Sequence, residues 1–374
     1  MNNYVVTDIH GNAERLEALL QKLKSKHPVG DFKLYIMGDL FDRGDESAKV
    51  LSLVLKNQGN VEVLKGNHEY LFMNFMQSPA KNYISWQMNY SYPTIMSFID
   101  HEKEVLFKKY CNADERQLEN DCYIAYMLLS KKLKTMFGDF DGNHSCDDYI
   151  NQITKTVSSR DIRNIAQDYT YTLRYHYLKD RSSKYIQLFS DLTYLHVVDK
   201  FCEIYEYFSQ LKPYALVDDD YLLVHSGFVN VNKDSNVEDS LNYDYYNYCE
   251  RVEDLPGQKE YPMIWARRKN LKTGKAVPPE RFDDKIIIYG HTITEYFNDG
   301  RNDYSPHFYY KNGKLQSVGI DGCNAERYKG QLNCLCLKDL SQIIVKGTSF
   351  AYLNQPNSIV VEEIEYQPEV PQPQ

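Results

Sequence analysis

The chain lacks the features that mark disulfide-stapled, membrane-spanning and nucleic-acid-binding proteins. None of its 8 cysteines forms a C-x-x-C pair, and a chain of 374 residues has no need of disulfide staples. No apolar run approaches the roughly 18 residues that span a bilayer. No leader is expected ahead of the first strand, which should begin at about Asn3. Positive charge is in deficit, with 43 Lys and Arg against 52 Asp and Glu, for a net charge of −9. That balance argues against non-specific binding to DNA or RNA, which relies on clustered Lys and Arg, and still allows a local basic pocket. These absences predict a reducing, cytoplasmic setting with no nucleic acid and no membrane as partner, and they leave the oligomeric state open. Any anionic substrate must be attracted by the site itself and not by the overall charge.

What is present is ordinary globular composition, 43% apolar and 25% charged, which can bury a sizeable core. The 33 tyrosines are unusual, and they concentrate in the middle of the chain and near 243–248. The first 80 residues alternate strand and helix. Tyr4 to Val6, Phe32 to Met37 and Val61 to Leu64 read as strands, and Asn12 to Lys26 and Glu46 to Lys56 as helices, with another helix starting near His68. Such alternation implies parallel neighbours with helices packed on the sheet. Strand signals then fade. Residues 80–212 read as a largely helical, Tyr-rich insertion, as in Tyr123 to Lys134 and Tyr194 to Leu211. Strands return from about 213, at Tyr221 to Val224, Lys285 to Tyr289, Leu315 to Ile320, Leu332 to Leu337 and Gln342 to Val345. Cys334 and Cys336 would share one strand face as buried free thiols. The predicted organisation is a catalytic domain from 1–79 and 213–350, the insertion 80–212, and a tail 351–374 whose Pro-rich end, 367–374, is expected to be disordered.

Five short polar motifs each follow an apolar run. They are Asp8-Ile-His10-Gly11-Asn12, Gly38-Asp39-Leu-Phe-Asp42-Arg43-Gly44, Gly66-Asn67-His68-Glu69, His225-Ser226-Gly227 and Gly290-His291-Thr292. All five would therefore sit beyond the carboxyl ends of strands, where open α/β sheets bind ligands. Asp8 and His10, two apart in an extended segment, can reach one ion. With Asp39, Asn67, His225 and His291 they form a set of oxygen and imidazole donors too large for one tetrahedral ion. The set suits two ions bridged by Asp39, with Mn²⁺, Fe or Zn²⁺ favoured by the absence of thiolate. Such a pair activates a water for in-line attack on phosphorus. Arg43 and Arg267 are candidate clamps for phosphoryl oxygens. His68 is a candidate acid for the leaving group, with Asp42 holding its ring.

These motifs resemble the metallophosphoesterase superfamily, and within it the phosphoprotein phosphatase family, whose pattern is Gly-Asp-x-His-Gly, Gly-Asp-x-x-Asp-Arg-Gly, Gly-Asn-His-Glu, His-Gly-Gly and a later Gly-His. The resemblance covers about 1–78 and 213–340. It implies an α/β (α+β) fold, a two-layer β-sandwich flanked by helices, with Asp39 as the bridging ligand, Asn67 as a ligand and His68 as the acid. It further implies hydrolysis of phosphate monoesters, foremost phosphoserine and phosphothreonine in proteins. The nearest alternative activity is a symmetrical dinucleoside tetraphosphate hydrolase, and a phosphate-binding scaffold without catalysis is the alternative outside enzymes. Thr7 and Ser226 stand where the family carries glycine. Asp321-Gly322 resembles a small Asp-x-Gly turn of bacterial relatives and receives no catalytic role. Asp139 to His144 and Asp218 to Asp220 read as polar turns, and His176 and His196 are left without assignment.

Overall fold

The computed structural model describes residues 1–137, 148, 150, 152–153, 182–227, 237–239, 260–270, 272–298, 302–325, 329–347 and 359–367. The contacts divide the chain into two compact units, Met1–Tyr70 with Leu211–Gln374, and Leu71–Gln210.

In the first unit, β1 (Asn2–Val6), β2 (Phe32–Ile36) and β3 (Val61–Val63) run parallel, joined by α1 (Ala13–Lys26) and α2 (Ser47–Lys56). Helix α1 begins where the Asn12 side chain accepts the Arg15 N–H, at 3.4 Å. It buries Leu16, Leu19, Leu20 and Leu23 on one stripe, and Lys24 and Lys26 lie at its negative end. Antiparallel strands β11 (Gln331–Cys336), β12 (Gln342–Gly347) and β13 (Ile359–Ile364) extend this layer into a six-stranded sheet of order β13-β12-β11-β1-β2-β3. Strand β13 falls within the stretch expected as a tail. Its signal is weak because it is an edge strand paired only with β12, with Glu362 and Glu363 interrupting its apolar run. Residues 368–374 lie outside the described residues.

The second layer holds β4 (Tyr214–Val217), β5 (Tyr221–Val224), β8 (Ile286–Tyr289), β9 (His307–Lys311) and β10 (Lys314–Gly319), in the order β4-β5-β8-β10-β9. Strands β5, β8 and β10 are parallel. Asp218 and Asp219 turn the β4–β5 hairpin with left-handed backbones, so this acidic triplet is the polar turn expected. The two layers share one core, in which Val5, Met37, Leu64 and Leu335 meet Leu223, Ile288 and Val318. The two-layer sandwich is thus as expected. The outer face of the second layer packs Leu222, Val224, Ile287 and Tyr289 against Met263 and Phe282, with Met263 supplied by α8 (Tyr261–Trp265). A short ribbon pairs β6 (Val237–Asp239) with β7 (Arg268–Asn270). Cys334 and Cys336 are buried in β11, and both are free thiols.

The second unit is helical in its described residues, with α4 (Pro79–Met88), α5 (Tyr92–Tyr110), α6 (Glu115–Phe137) and α7 (Ser183–Ser209). Phe201 presents its ring to the edges of Phe72, Trp86 and Phe98, at centroid separations of 5.4, 6.4 and 5.6 Å. A second cluster joins Leu106, Tyr110, Leu118, Tyr185, Phe189 and Leu192. Tyrosine suits this position because its ring packs while its hydroxyl finds a partner. Tyr185 donates to the Tyr110 carbonyl at 2.6 Å, and Tyr110 donates to Asp121 at 2.7 Å. The tyrosines at 243–248, His176 and the 139–144 turn lie outside the described residues. Replacing Phe201 by Ala removes the ring shared by three aromatic neighbours. It should destabilise the helical unit by about 3–5 kcal/mol, measured as a shift in urea unfolding followed by circular dichroism.

Candidate metal centre

The two parallel triplets carry the motifs to one place. Asp8 and His10 follow β1, Asp39 follows β2, and Asn67, the first residue of α3 (Asn67–Gln77), follows β3. His225 follows β5 and His291 follows β8. The loops are stitched together directly. His10 N–H donates to the Asp39 carbonyl at 2.8 Å, Gly11 N–H to Leu40 at 2.9 Å, and His291 N–H to the Asp8 carboxylate at 3.0 Å. The close approach at His291 requires glycine before it, since a Cβ on Gly290 would run into the Asp8 carboxylate and the Thr7 hydroxyl.

The backbone is strained here. Asp8, His10, Asp39, Asp42, Arg43 and His291 have φ of 51°, 47°, 57°, 69°, 69° and 63°. Such left-handed conformations cost of order 1–3 kcal/mol each and persist only where surroundings impose them. Asp and His tolerate them better than Arg does. Glu69, fully buried, is the chief restraint. It accepts the N–H groups of Asp39, Leu40 and Gly66 at 2.8, 2.8 and 2.9 Å. Burial and the neighbouring Asp39 charge push its carboxyl up to about 7, and the N–H donors work against that rise.

The donor atoms face one another. Asp39 places Oδ1 3.4 Å from His225 Nε2, and Oδ2 3.6 Å from His10 Nε2. Asn67 Oδ1 is 2.8 Å from His225 Nε2, and Asp8 Oδ1 is 3.6 Å from His10 Nε2. Two groups of prospective ligands therefore share Asp39, one with His10 and His68 and the other with His225 and His291, each with donor atoms within 4.8 Å of one another. The tautomers follow from the partners. His10 Nδ1 lies 2.9 Å from the Phe41 carbonyl and His225 Nδ1 lies 2.6 Å from that of Met37. A carbonyl only accepts, so both Nδ1 atoms carry hydrogen and both Nε2 atoms point inward.

Electrostatics match this crowding. Burial disfavours a charged Asp8, yet its bond to His10 and the charge of His225 bring its pKa down, and His225 and His68 do the same for Asp39. Burial opposes protonation of His225, but the Asp39 and Asp8 carboxylates outweigh it and push it up to about 9. Burial and the Arg43 guanidinium lower the pKa of His10, and burial and Arg267 bring that of His291 well below the usual histidine value. For His68 the carboxylates of Asp39 and Asp42 overcome burial and raise the pKa, and its Nδ1 donates to Asp42 at 2.7 Å.

All ten residues singled out in the sequence come together. Arg43 lies with Nη2 3.4 Å from His68 Nε2, and Arg267 donates from Nη2 to the His291 carbonyl at 2.9 Å. Four further residues serve the site. Glu69 was part of a quoted motif but had no role. Thr7 donates to Asp8 Oδ2 at 2.6 Å, so the residue replacing the family's glycine orients a carboxylate. Ser226 donates to the Met263 carbonyl at 2.9 Å and so ties β5 to α8, just ahead of Arg267. Asp321, buried beyond the end of β10, is pushed up to about 8 by burial and by Asp8. Its position after a predicted strand was the same signal that exposed the other motifs.

Residues 1–156 match the family model of the calcineurin-like phosphoesterases. It is 33% identical over 69 residues to the symmetrical bis(5'-nucleosyl)-tetraphosphatase of Neisseria gonorrhoeae, covering 18% of this chain and 24% of that protein. It is 41% identical over 70 residues to the protein of the same name from Actinobacillus succinogenes, with the same shares covered. The matched stretch thus spans about a quarter of the length of these relatives. Among solved structures, the cold-active protein-tyrosine phosphatase of a psychrophile Shewanella sp. aligns over 97% of this chain and 80% of its own, at 14% identity and a TM-score of 0.38.

Glu69→Gln tests the restraint on Asp39. An amide has one accepting oxygen, so at least one buried N–H loses its partner, a cost of about 1–3 kcal/mol. The melting temperature should fall, and metal content measured by mass spectrometry should fall with it.

Proposed function

We propose that this chain is a metal-dependent phosphoesterase that hydrolyses phosphate monoesters at a centre of two divalent ions. The observation that carries the proposal is the sharing of Asp39 between two facing groups of donors. The donor set fits such ions on its own terms. His10 Nε2 and His291 Nε2 are buried with no hydrogen-bond partner, and a buried polar atom left unpaired is costly unless a ligand meets it. Asp8, His10 and Asp39 would hold one ion, and Asp39, Asn67, His225 and His291 the other. Oxygen and imidazole donors favour Mn²⁺, with Fe or Zn²⁺ also accommodated. When bound, the pair supplies an activated water and neutralises charge on the phosphoryl oxygens.

The remaining work falls to the chain itself. The exposed guanidinium groups of Arg43 and Arg267 orient the phosphoryl group beside the buried ligands. His68, with Nδ1 committed to Asp42, offers its Nε2 proton to the departing oxygen, and Asp42 holds the ring and favours its charged form. His68 also lies within reach of the His10 and Asp39 donors, so its role as acid and not ligand is a point to test. Phosphoserine and phosphothreonine in proteins are the substrates favoured by the motif resemblance. A second reading, hydrolysis of a dinucleoside tetraphosphate, is favoured by the names of the relatives matched over 69 and 70 residues.

Metal-loaded protein should hydrolyse p-nitrophenyl phosphate and lose that activity to a chelator. Bound metal without turnover would favour the scaffold instead. Comparing a phosphopeptide with diadenosine tetraphosphate decides between the two substrate readings. Asp39→Asn should abolish activity by weakening the link between the ions. His68→Asn should retain both metals while slowing substrates with poor leaving groups most, and loss of a metal from this variant would reassign His68 as a ligand.

A further inference from the structure

A groove of about 610 Å³ opens beside the centre. That volume lies in the range of small-molecule sites, roughly 300–1,000 Å³, and far exceeds what one phosphoryl group fills. Arg43, Arg267 and His291 belong to its wall, and Ala276, Ile293 and Tyr296 give the same wall apolar contact. The two guanidinium groups serve the phosphoryl group, which leaves the apolar residues to whatever is esterified to it.

Tyr296 ends the 3₁₀ turn Thr294–Tyr296, a short way past the prospective ligand His291. The turn is pinned to the segment that follows β10. Thr294 donates to the Asp321 carbonyl from its N–H at 2.9 Å and from its hydroxyl at 3.2 Å. Glu295 accepts the Asn302 N–H at 2.8 Å. Phe297 anchors the other side, its ring edge-on to Tyr289 at 6.1 Å and stacked on His307 at 5.2 Å. Tyr296 takes the opposite course. It is 64% exposed, and among the described residues its ring meets no other ring and its hydroxyl no hydrogen-bond partner. An exposed tyrosine is ordinary by itself, but this one is held on a fixed turn in the wall of the groove.

A tyrosine ring offers a large, rigid contact face at low entropic cost. Two aromatic rings, offset-stacked or edge to face, gain more than their buried area provides, and a saturated group forgoes that gain. We infer that Tyr296 is a stacking platform for an aromatic leaving group, so that the centre prefers phosphate carried on a phenol-type oxygen to phosphate on an alkyl oxygen such as that of serine. This rests on the phosphoesterase reading and narrows its substrate class. In the reaction, water oxygen bonds to phosphorus and the bond from phosphorus to the phenol oxygen breaks. The bonding pair stays with that oxygen, which takes a proton and leaves as the phenol. Of the two protons of water, one ends on the phenol and the other on the phosphate.

The test uses the full-length protein with divalent metal in excess, phenyl phosphate as the aromatic substrate and cyclohexyl phosphate as its saturated counterpart. The readout is the ratio of kcat/KM on phenyl phosphate to that on cyclohexyl phosphate. Comparing this ratio between variant and wild type cancels the difference in leaving-group pKa. Tyr296→Ala should lower the ratio about three- to tenfold. Tyr296→Leu, which keeps apolar bulk without a ring, should lower it in the same direction, and Tyr296→Phe should hold it within about twofold. An unchanged ratio in Tyr296→Ala overturns the inference. So does a fall in Tyr296→Phe as large as in Tyr296→Ala, which would assign the effect to the hydroxyl. Calorimetry supplies a readout without turnover. Wild type should bind phenylphosphonate more tightly than methylphosphonate, and Tyr296→Ala should lose most of that preference. A preference that survives in Tyr296→Ala overturns the platform as well. If wild type hydrolyses neither ester, the phosphoesterase reading fails, and the platform still stands or falls on the phosphonate result.

Discussion

A single buried carboxylate holds the candidate centre in shape. Glu69 gathers the N–H groups of Asp39, Leu40 and Gly66, which fixes the loop after β2 against the turn after β3. Asp39 is thereby held in a left-handed conformation with one oxygen toward each group of donors. The charges packed around it could not be assembled cheaply elsewhere, because burial penalises every ionised member. Mutual compensation, His225 against Asp39 and Asp8, and His68 against Asp39 and Asp42, offsets part of that penalty. A divalent ion would replace that proton-based compensation with its own charge.

The sandwich supplies the rigidity that this strain demands. Each layer contributes three parallel strands, and the shared core of Val5, Met37, Leu223, Ile288 and Val318 fixes one layer against the other. Loops from both layers can then meet with hydrogen-bond accuracy, as His291 N–H does with Asp8. Small residues that look like departures from the family pattern prove to be part of this fit. Thr7 turns its hydroxyl onto Asp8, and Ser226 anchors the helix that leads to Arg267. Arg267 in turn donates to the His291 carbonyl and lines the groove beside it.

Legibility in the sequence followed the strength of local signal. Strands β1, β2, β5 and β8 were readable because each is a short apolar run ended by glycine or a polar motif, and the helices because their apolar stripes repeat at helical spacing. Strand β13 was missed: it is an edge strand carrying glutamates, and its place is set by pairing with β12. Strand β9 was missed for a related reason, since His307–Lys311 is mostly aromatic and half-buried at the sheet edge. The loop and helix of Arg267 were visible only as a short Trp-Ala-Arg motif, with nothing local to say which way it would face.

The sequence by itself determined which residue types end five of the six parallel strands, and hence the expectation that oxygen and imidazole donors would gather at one rim. That much is local, because strand period and glycine turns dictate where a side chain emerges. Only the tertiary structure decided that Glu69 is the restraint, that Asp321 joins the site, and that Arg268, Lys269 and Lys275 border the same groove as Arg43. Those facts depend on hydrogen bonds and electrostatic proximity between segments up to 313 positions apart (Asp8 to Asp321). No local pattern encodes such distances, because they arise when two sheets close on a common core.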